Sequence, residues 1–218
     1  MSAYFITGTD TEIGKTFVTS ALLHRFRQAG LSSLGMKPVA AGLDGHGLNE
    51  DVEQLMAASS VQADRVLVNP FAFKHPIAPH LAAAEEGRDI RFAPIHTALA
   101  QLRQQADVVL VEGVGGFRVP LGPEGDSADL AETLGLPVIL VVGLRLGCIN
   151  HALLTVEAIR SRGLPLAGWV ANAVDPLMLR GAENVATLDE LIPAPRLGLI
   201  PFQSPPDAHL AAAYLRMP

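Results

Sequence analysis

Short apolar runs recur along the chain at Tyr4 to Thr7, Leu34 to Pro38, Val108 to Val111, Val138 to Val142, Ala167 to Val170 and Leu197 to Ile200. Between them, apolar positions return at helical spacing over Lys15 to Gln28, Glu50 to Ser59, Phe92 to Gln104, Ala128 to Leu134, Ile149 to Arg162 and Glu183 to Leu191. Alternation of the two periods predicts an α/β fold with a mainly parallel sheet flanked by helices on both faces. The run from Val138 is almost continuous Val, Ile and Leu, as a parallel strand covered on both faces requires. Gly30, Gly135 and Gly163 stand just past three of the predicted helices, where a left-handed residue commonly ends a helix. Residues 64–80, with Pro70, Pro76 and Pro79, are less regular, and a further short strand is expected over Arg65 to Val68.

The length of 218 residues suits one buried core, so residues 1–218 are expected to form a single domain of the phosphate-loop nucleotide-binding type. Apolar residues make up 49 % and charged residues 17 %, yet no stretch reaches the ~18 consecutive apolar residues of a membrane span. The excess hydrophobicity therefore belongs to the buried sheet, and no membrane partner is expected. Met1-Ser2-Ala3-Tyr4 lacks the basic-then-apolar succession of a secretory signal, so a cytoplasmic location is expected. The lone Cys148 excludes an intrachain disulfide and a Cys-based zinc site. A net charge of -6 without a Lys/Arg cluster argues against a nucleic-acid partner.

The strongest chemical signal lies near the N-terminus. Phe5-Ile6-Thr7-Gly8-Thr9-Asp10-Thr11-Glu12-Ile13-Gly14-Lys15-Thr16 passes from an apolar run through a glycine-bounded loop into Gly-Lys-Thr at the head of a helical pattern. Such a segment binds phosphate: loop amides and a helix N-terminus surround the oxygens, the lysine reaches the terminal phosphates and the threonine hydroxyl ligates magnesium. The loop is one residue longer than the usual pattern, because Thr9 stands where the first glycine is expected and Gly8 is the glycine present.

In parallel sheets ligands gather at the carboxyl ends of the strands. Glu112, directly after Val108 to Val111, is placed for a carboxylate to approach nucleotide-bound magnesium, and Gly113, Gly115 and Gly116 would let backbone come close to phosphate or substrate. Lys37 is either a solvated strand terminus or a cation aimed into the crevice. Asp51, opening a helical pattern, reads on its own as a cap or dipole partner rather than a metal ligand. Asn172, taken alone, reads as a turn residue. Trp169 reads as core, and the histidines have no metal-ligand spacing.

Taken together, Gly8 to Thr16, Lys37-Pro38-Val39-Ala40-Ala41-Gly42, Val111-Glu112-Gly113-Val114-Gly115-Gly116, Leu146-Gly147-Cys148-Ile149-Asn150-His151 and Gly168-Trp169-Val170-Ala171-Asn172 resemble the dethiobiotin synthetase family. The resemblance runs from the first strand to around residue 202, and the lengthened loop is similar to that family's own. It implies an ATP- and Mg²⁺-dependent ring closure in biotin biosynthesis: 7,8-diaminononanoate and CO₂ form a carbamate, ATP phosphorylates it, and the second amine displaces phosphate to give dethiobiotin and ADP. By the same resemblance Lys15 stabilises the transferring phosphoryl group, Lys37 holds the carbamate, and Thr16, Asp51 and Glu112 surround magnesium. Glu12, Ile13, Gly14, Lys15, Thr16 and Phe17 would carry the nucleotide contacts. Gly113, Val114, Gly115 and Gly116 would pack around the reacting centre. Asn172 would meet the adenine edge, with Ala173, Pro201, Phe202 and Gln203 flanking the nucleotide. Thr11 and Ala41 would lie on the substrate side. The amides of Gly147, Cys148, Ile149 and Asn150 would bind the distal carboxylate of substrate held by the other subunit of a homodimer.

The family often has serine or threonine where this chain has Ala41, a departure that bears on one substrate contact and not on the reaction. A nucleotide-dependent ATPase switch would resemble this fold but carry a second lysine where this chain has Asp10. A related amide-forming enzyme with an attached glutaminase domain would need a longer chain and a Cys-His arrangement beyond the first domain.

Overall fold

The computed structural model describes residues 1–218. Its elements run β1 (Ser2–Gly8), α1 (Lys15–Gln28), β2 (Ser33–Met36), β3 (Val39–Ala41), α2 (Glu50–Ala58), α3 (Arg65–Val68), β4 (Phe71–Phe73), α4 (Pro79–Glu85), α5 (Phe92–Leu102), β5 (Val108–Glu112), β6 (Pro120–Gly122), β7 (Gly125–Asp126), α6 (Ser127–Leu134), β8 (Val138–Leu144), α7 (Cys148–Ser161), β9 (Leu166–Ala173), α8 (Gly181–Leu191), β10 (Arg196–Ile200) and α9 (Ala208–Ala211). The main sheet has the order β10-β9-β8-β1-β5-β2, and every pair in it is parallel. No helix is long and apolar enough to cross a membrane.

Side chains of a strand alternate between faces, so a strand covered on both sides must be apolar at every position. In β1, Phe5 enters the core packed with Ile95, Leu99 and Phe117, while its neighbour Ile6 enters the core packed with Val18, Leu22 and Leu23 of α1. β5 divides likewise, Val109 and Val111 to the first core and Val108 and Leu110 to the second. All of β8 is buried, with Ile139 and Val141 in the second core and Leu140 and Val142 packed with Trp169, Val156 and Leu188 in a third. Trp169 is thus core, as its place in an apolar run suggests.

Turn chemistry follows the sequence. Gly30, Gly135 and Gly163 all have positive φ at the ends of α1, α6 and α7. The expected strand at Arg65 to Val68 is instead the short helix α3, and the strand comes after it as β4, parallel to β3 in a small second sheet. A run of this length has no decisive period. Val66 faces solvent at 68 % exposure while Val68 is buried, and Asn69-Pro70 breaks the chain before β4 begins. The run predicted from Leu34 to Pro38 also divides: β2 stops at Met36, and after Lys37-Pro38 the chain continues as β3 in the second sheet.

Candidate functional site

The phosphate loop joins β1 to α1 at the carboxyl edge of the sheet. Gly14 is the N-cap of α1 and sits in the left-handed region at φ 77°, which glycine adopts without steric cost. A Cβ there would stand 2.4 Å from Asn172 Nδ2, so the approach of β9 also requires glycine. That same Asn172 Nδ2 donates to the Ile13 carbonyl at 2.9 Å. Ile13 is buried, and a Cβ on Gly8 or on Gly143 would lie 2.7 and 2.5 Å from its side chain. The lengthened loop is therefore wedged between the ends of β1 and β8 through Ile13 and tied to β9 through Asn172. The first turn of α1 has neither a side-chain cap nor an acidic residue, which leaves its amides directed at an anion.

Two lysines face this loop. Lys15 is buried, and its Nζ donates to the Asp10 carbonyl at 3.0 Å. Burial, and after it the charge of Lys37, push its pKa down to about 8, against the opposing pull of Glu112, Asp51 and Asp10. Lys37 lies 3 % exposed, with its Nζ 2.6 Å from Glu112 Oε1 and 2.9 Å from Asp51 Oδ2. Burial works to lower its pKa, but the two carboxylates outweigh burial and hold the ammonium above its ordinary value. Burial likewise works to raise Asp51, yet the Lys37 charge and hydrogen bond keep it below the usual carboxylate range.

The backbone of Lys37 is fixed from both sides. Its N–H donates to the Val68 carbonyl at 2.8 Å, and its carbonyl accepts from Asn69 Nδ2 at 2.6 Å. The end of α3 and Asn69 just after it thus hold the lysine. Asp51 stands in the first turn of α2, but the cap is Asn49, whose side chain accepts from Val52 N. This frees the Asp51 carboxylate for the lysine.

Glu112 is fully buried, and its Oε1 also accepts the Thr16 hydroxyl at 2.7 Å. Its Oε2 is buried with no hydrogen-bond partner, an arrangement that costs free energy unless another group satisfies it. A threonine hydroxyl and two carboxylates, one of them with an unsatisfied oxygen, make a hard oxygen donor set. Such a set fits a magnesium ion rather than a soft metal.

These groups open onto a cleft of about 800 Å³. Thr11, Glu12, Gly14, Lys15, Thr16, Phe17, Lys37, Ala41, Asp51, Val114 and Gly115 of the sequence-derived candidates line it, whereas Ile13, Glu112, Gly113 and Asn172 stand behind the wall and shape it. Ala173 ends β9, and Pro201 to Gln203 follow β10 outside the cleft lining. Gly147 to Asn150 form the start of α7, with Gly147 as a left-handed N-cap that lacks a side-chain cap, and they do not line this cleft either. Sequence reasoning missed Asn49, Gln54 and the run Pro76-Ile77-Ala78-Pro79, which also line the cleft. The only trace of that run in the sequence was its proline spacing.

A family model described as an AAA domain matches residues 2–209. The chain is 61 % identical to the ATP-dependent dethiobiotin synthetase BioD of Aromatoleum aromaticum, over 99 % of this chain and 97 % of that relative. It is 56 % identical to the protein of the same name from Ralstonia nicotianae, over 97 % of this chain and 93 % of the relative. Among solved structures, the MinC:MinD cell division protein complex of Aquifex aeolicus superposes with a TM-score of 0.57 at 13 % identity, covering 93 % of this chain and 82 % of that one. At that identity the likeness is one of fold.

Proposed function

The chain belongs to the ATP-dependent dethiobiotin synthetase family, and from that premise we infer that it closes the ring of dethiobiotin from 7,8-diaminononanoate, CO₂ and ATP in biotin biosynthesis. The observation that carries this reading is Lys37, an ammonium buried between Glu112 and Asp51 on the wall of the cleft that the phosphate loop also lines. A buried, doubly paired lysine beside a phosphate loop suits two anions brought together, a carbamate and the γ-phosphate.

One amine of the substrate adds to CO₂ and loses a proton, giving a carbamate. A carbamate oxygen attacks the γ-phosphorus, ADP leaves, and a carbamic-phosphoric anhydride results. The second amine then attacks the carbonyl carbon and expels phosphate, so the oxygen that bonded to phosphorus departs with it. Lys37 holds the carbamate and Lys15 the phosphoryl oxygens, as buried cations preorganised at the cleft. Thr16, Asp51 and Glu112 would hold magnesium, which when bound neutralises phosphate charge. No protein nucleophile is required.

Asn172 Nδ2 spends one of its two N–H donors on Ile13 and no group in the chain donates to its Oδ1, so the side chain can still offer an adenine edge both an acceptor and a donor. Ala173 and Pro201 to Gln203 flank the nucleotide in this reading. The Ile149 and Asn150 amides in the first turn of α7, away from the cleft of their own chain, have no partner and suit a substrate carboxylate presented by a second subunit. Leu146, Leu177 and Leu179, exposed at 95 %, 84 % and 86 %, supply apolar surface for that homodimer. Residues 1–218 act as one domain in this account. The rival ATPase switch has only the fold in its favour, and Asp10 occupies the place of its second lysine.

Purified protein supplied with ATP, Mg²⁺, the diamine and isotopically labelled bicarbonate is expected to yield dethiobiotin carrying the label, read by mass. ATP consumed with no labelled cyclic urea would overturn the reading.

A further inference from the structure

Asp10 gathers contacts from three directions. Its Oδ1 accepts the Thr11 backbone N–H at 2.8 Å, its carbonyl accepts Lys15 Nζ at 3.0 Å, and its Oδ2 is paired with the Arg145 guanidinium. Arg145 lies just past β8, and its own carbonyl accepts the N–H of Cys148, the first residue of α7, at 3.0 Å. Its backbone thus belongs to the entry of α7 while its side chain belongs to the phosphate loop.

The turn that follows Asp10 needs support. Glu12 adopts φ 58°, a left-handed conformation that side chains disfavour, in the stretch that carries Thr11 to the cleft wall. Both members of the Asp10–Arg145 pair are partly exposed, at 42 % and 40 %, and an ion pair so placed adds little to stability. Its consequence is geometric. We propose that Arg145 is a positioning residue: by anchoring Asp10 it holds the turn that presents Thr11 and Lys15 to the ligands, and it links the phosphate loop to the first turn of α7. The proposal deepens the function given above and rests on it for the identity of the reaction, but not for nucleotide binding.

The test is a cycle of Arg145→Ala, Asp10→Ala and the double variant, with Arg145→Lys as the conservative control. Mg-ATP affinity is read by calorimetry, turnover by product, and melting temperature in parallel. Arg145→Ala is expected to lower kcat/KM for ATP by about tenfold and to weaken Mg-ATP binding in the same direction, with the melting temperature unchanged. Asp10→Ala added to it should cost little more, and Arg145→Lys should restore most of the loss. Additive losses in the cycle, an Arg145→Ala variant within about twofold of wild type in both readouts, or a loss of folding in that variant would each overturn the proposal. A wild-type protein that binds ATP but makes no dethiobiotin would instead defeat the proposed reaction, and the cycle would still be readable in the affinities.

Discussion

Lys37 Nζ lies 2.6 Å from Glu112 Oε1, and neither side chain has appreciable contact with solvent. The pairing of β2 with β5 sets Met36 opposite Val111, so the next residues, Lys37 just past β2 and Glu112 at the end of β5, stand side by side. Removing one partner of such a pair strands a buried charge, typically at about 3–5 kcal/mol, whereas removing both can be nearly neutral. Lys37→Ala is therefore expected to abolish product while Mg-ATP still binds, and to lower stability to urea by about that amount. The pair Lys37→Met with Glu112→Gln should regain much of the stability and none of the activity. Unchanged turnover in Lys37→Ala would remove the lysine from the chemistry.

Asn172 makes a different kind of link, donating to the Ile13 carbonyl from β9. Asn172→Ala leaves that buried carbonyl without a donor, at a cost of about 1–3 kcal/mol, and releases the loop. The expected result is a raised KM for ATP with little change in the KM for the diamine. Equal changes in both would mean that Asn172 supports the whole cleft and not the nucleotide side.

Ala41 lines the cleft at the end of β3, beside the Pro76–Pro79 wall. Ala41→Ser adds a hydroxyl to the cleft lining and, if Ala41 faces the diamine as proposed, is expected to change the diamine KM more than the ATP KM. Steady-state kinetics with each substrate varied in turn decides it, and equal effects would place the residue elsewhere.

How far the sequence could be read depended on how local each feature was. Ile139 and Val141 on one side of β8, with Leu140 and Val142 on the other, explain why a nearly unbroken apolar run marked a covered strand. Lys15 and Thr16 were legible because their neighbours in the chain are their neighbours in the loop. Lys37 was not, because its burial depends on Glu112, 75 positions away, and on a strand register that no local pattern encodes. Asp51 has the sequence position of a cap, but Asn49 fills that role in the fold. At Arg65 to Val68 a run too short for its period concealed a helix, and with it the clamp on the Lys37 backbone.

The rings of His24 on α1 and His209 on α9 meet edge to face with centroids 5.3 Å apart. Burial, and then His209 and Arg27, hold the His24 pKa below 6.5, with Asp207 opposing. Between that depressed value and 6.5 the unfolded chain binds the proton more readily than the folded one, so stability rises with pH across this window and the contribution is flat above it. Melting temperatures should fall more steeply for wild type than for His24→Gln on going from about pH 6.5 to about pH 5, and the two should run parallel near pH 8. Parallel curves throughout would show that the contact between α1 and α9 does not sense protonation.

In the proposed reaction ATP activates a carbamate and is not simply hydrolysed. The most direct measurement is phosphate release in saturating Mg-ATP and bicarbonate, followed beside dethiobiotin formation with and without 7,8-diaminononanoate. One phosphate for each cyclic urea is expected, and almost none when the diamine is withheld. Phosphate release that continues unchanged without the diamine would contradict the proposed reaction.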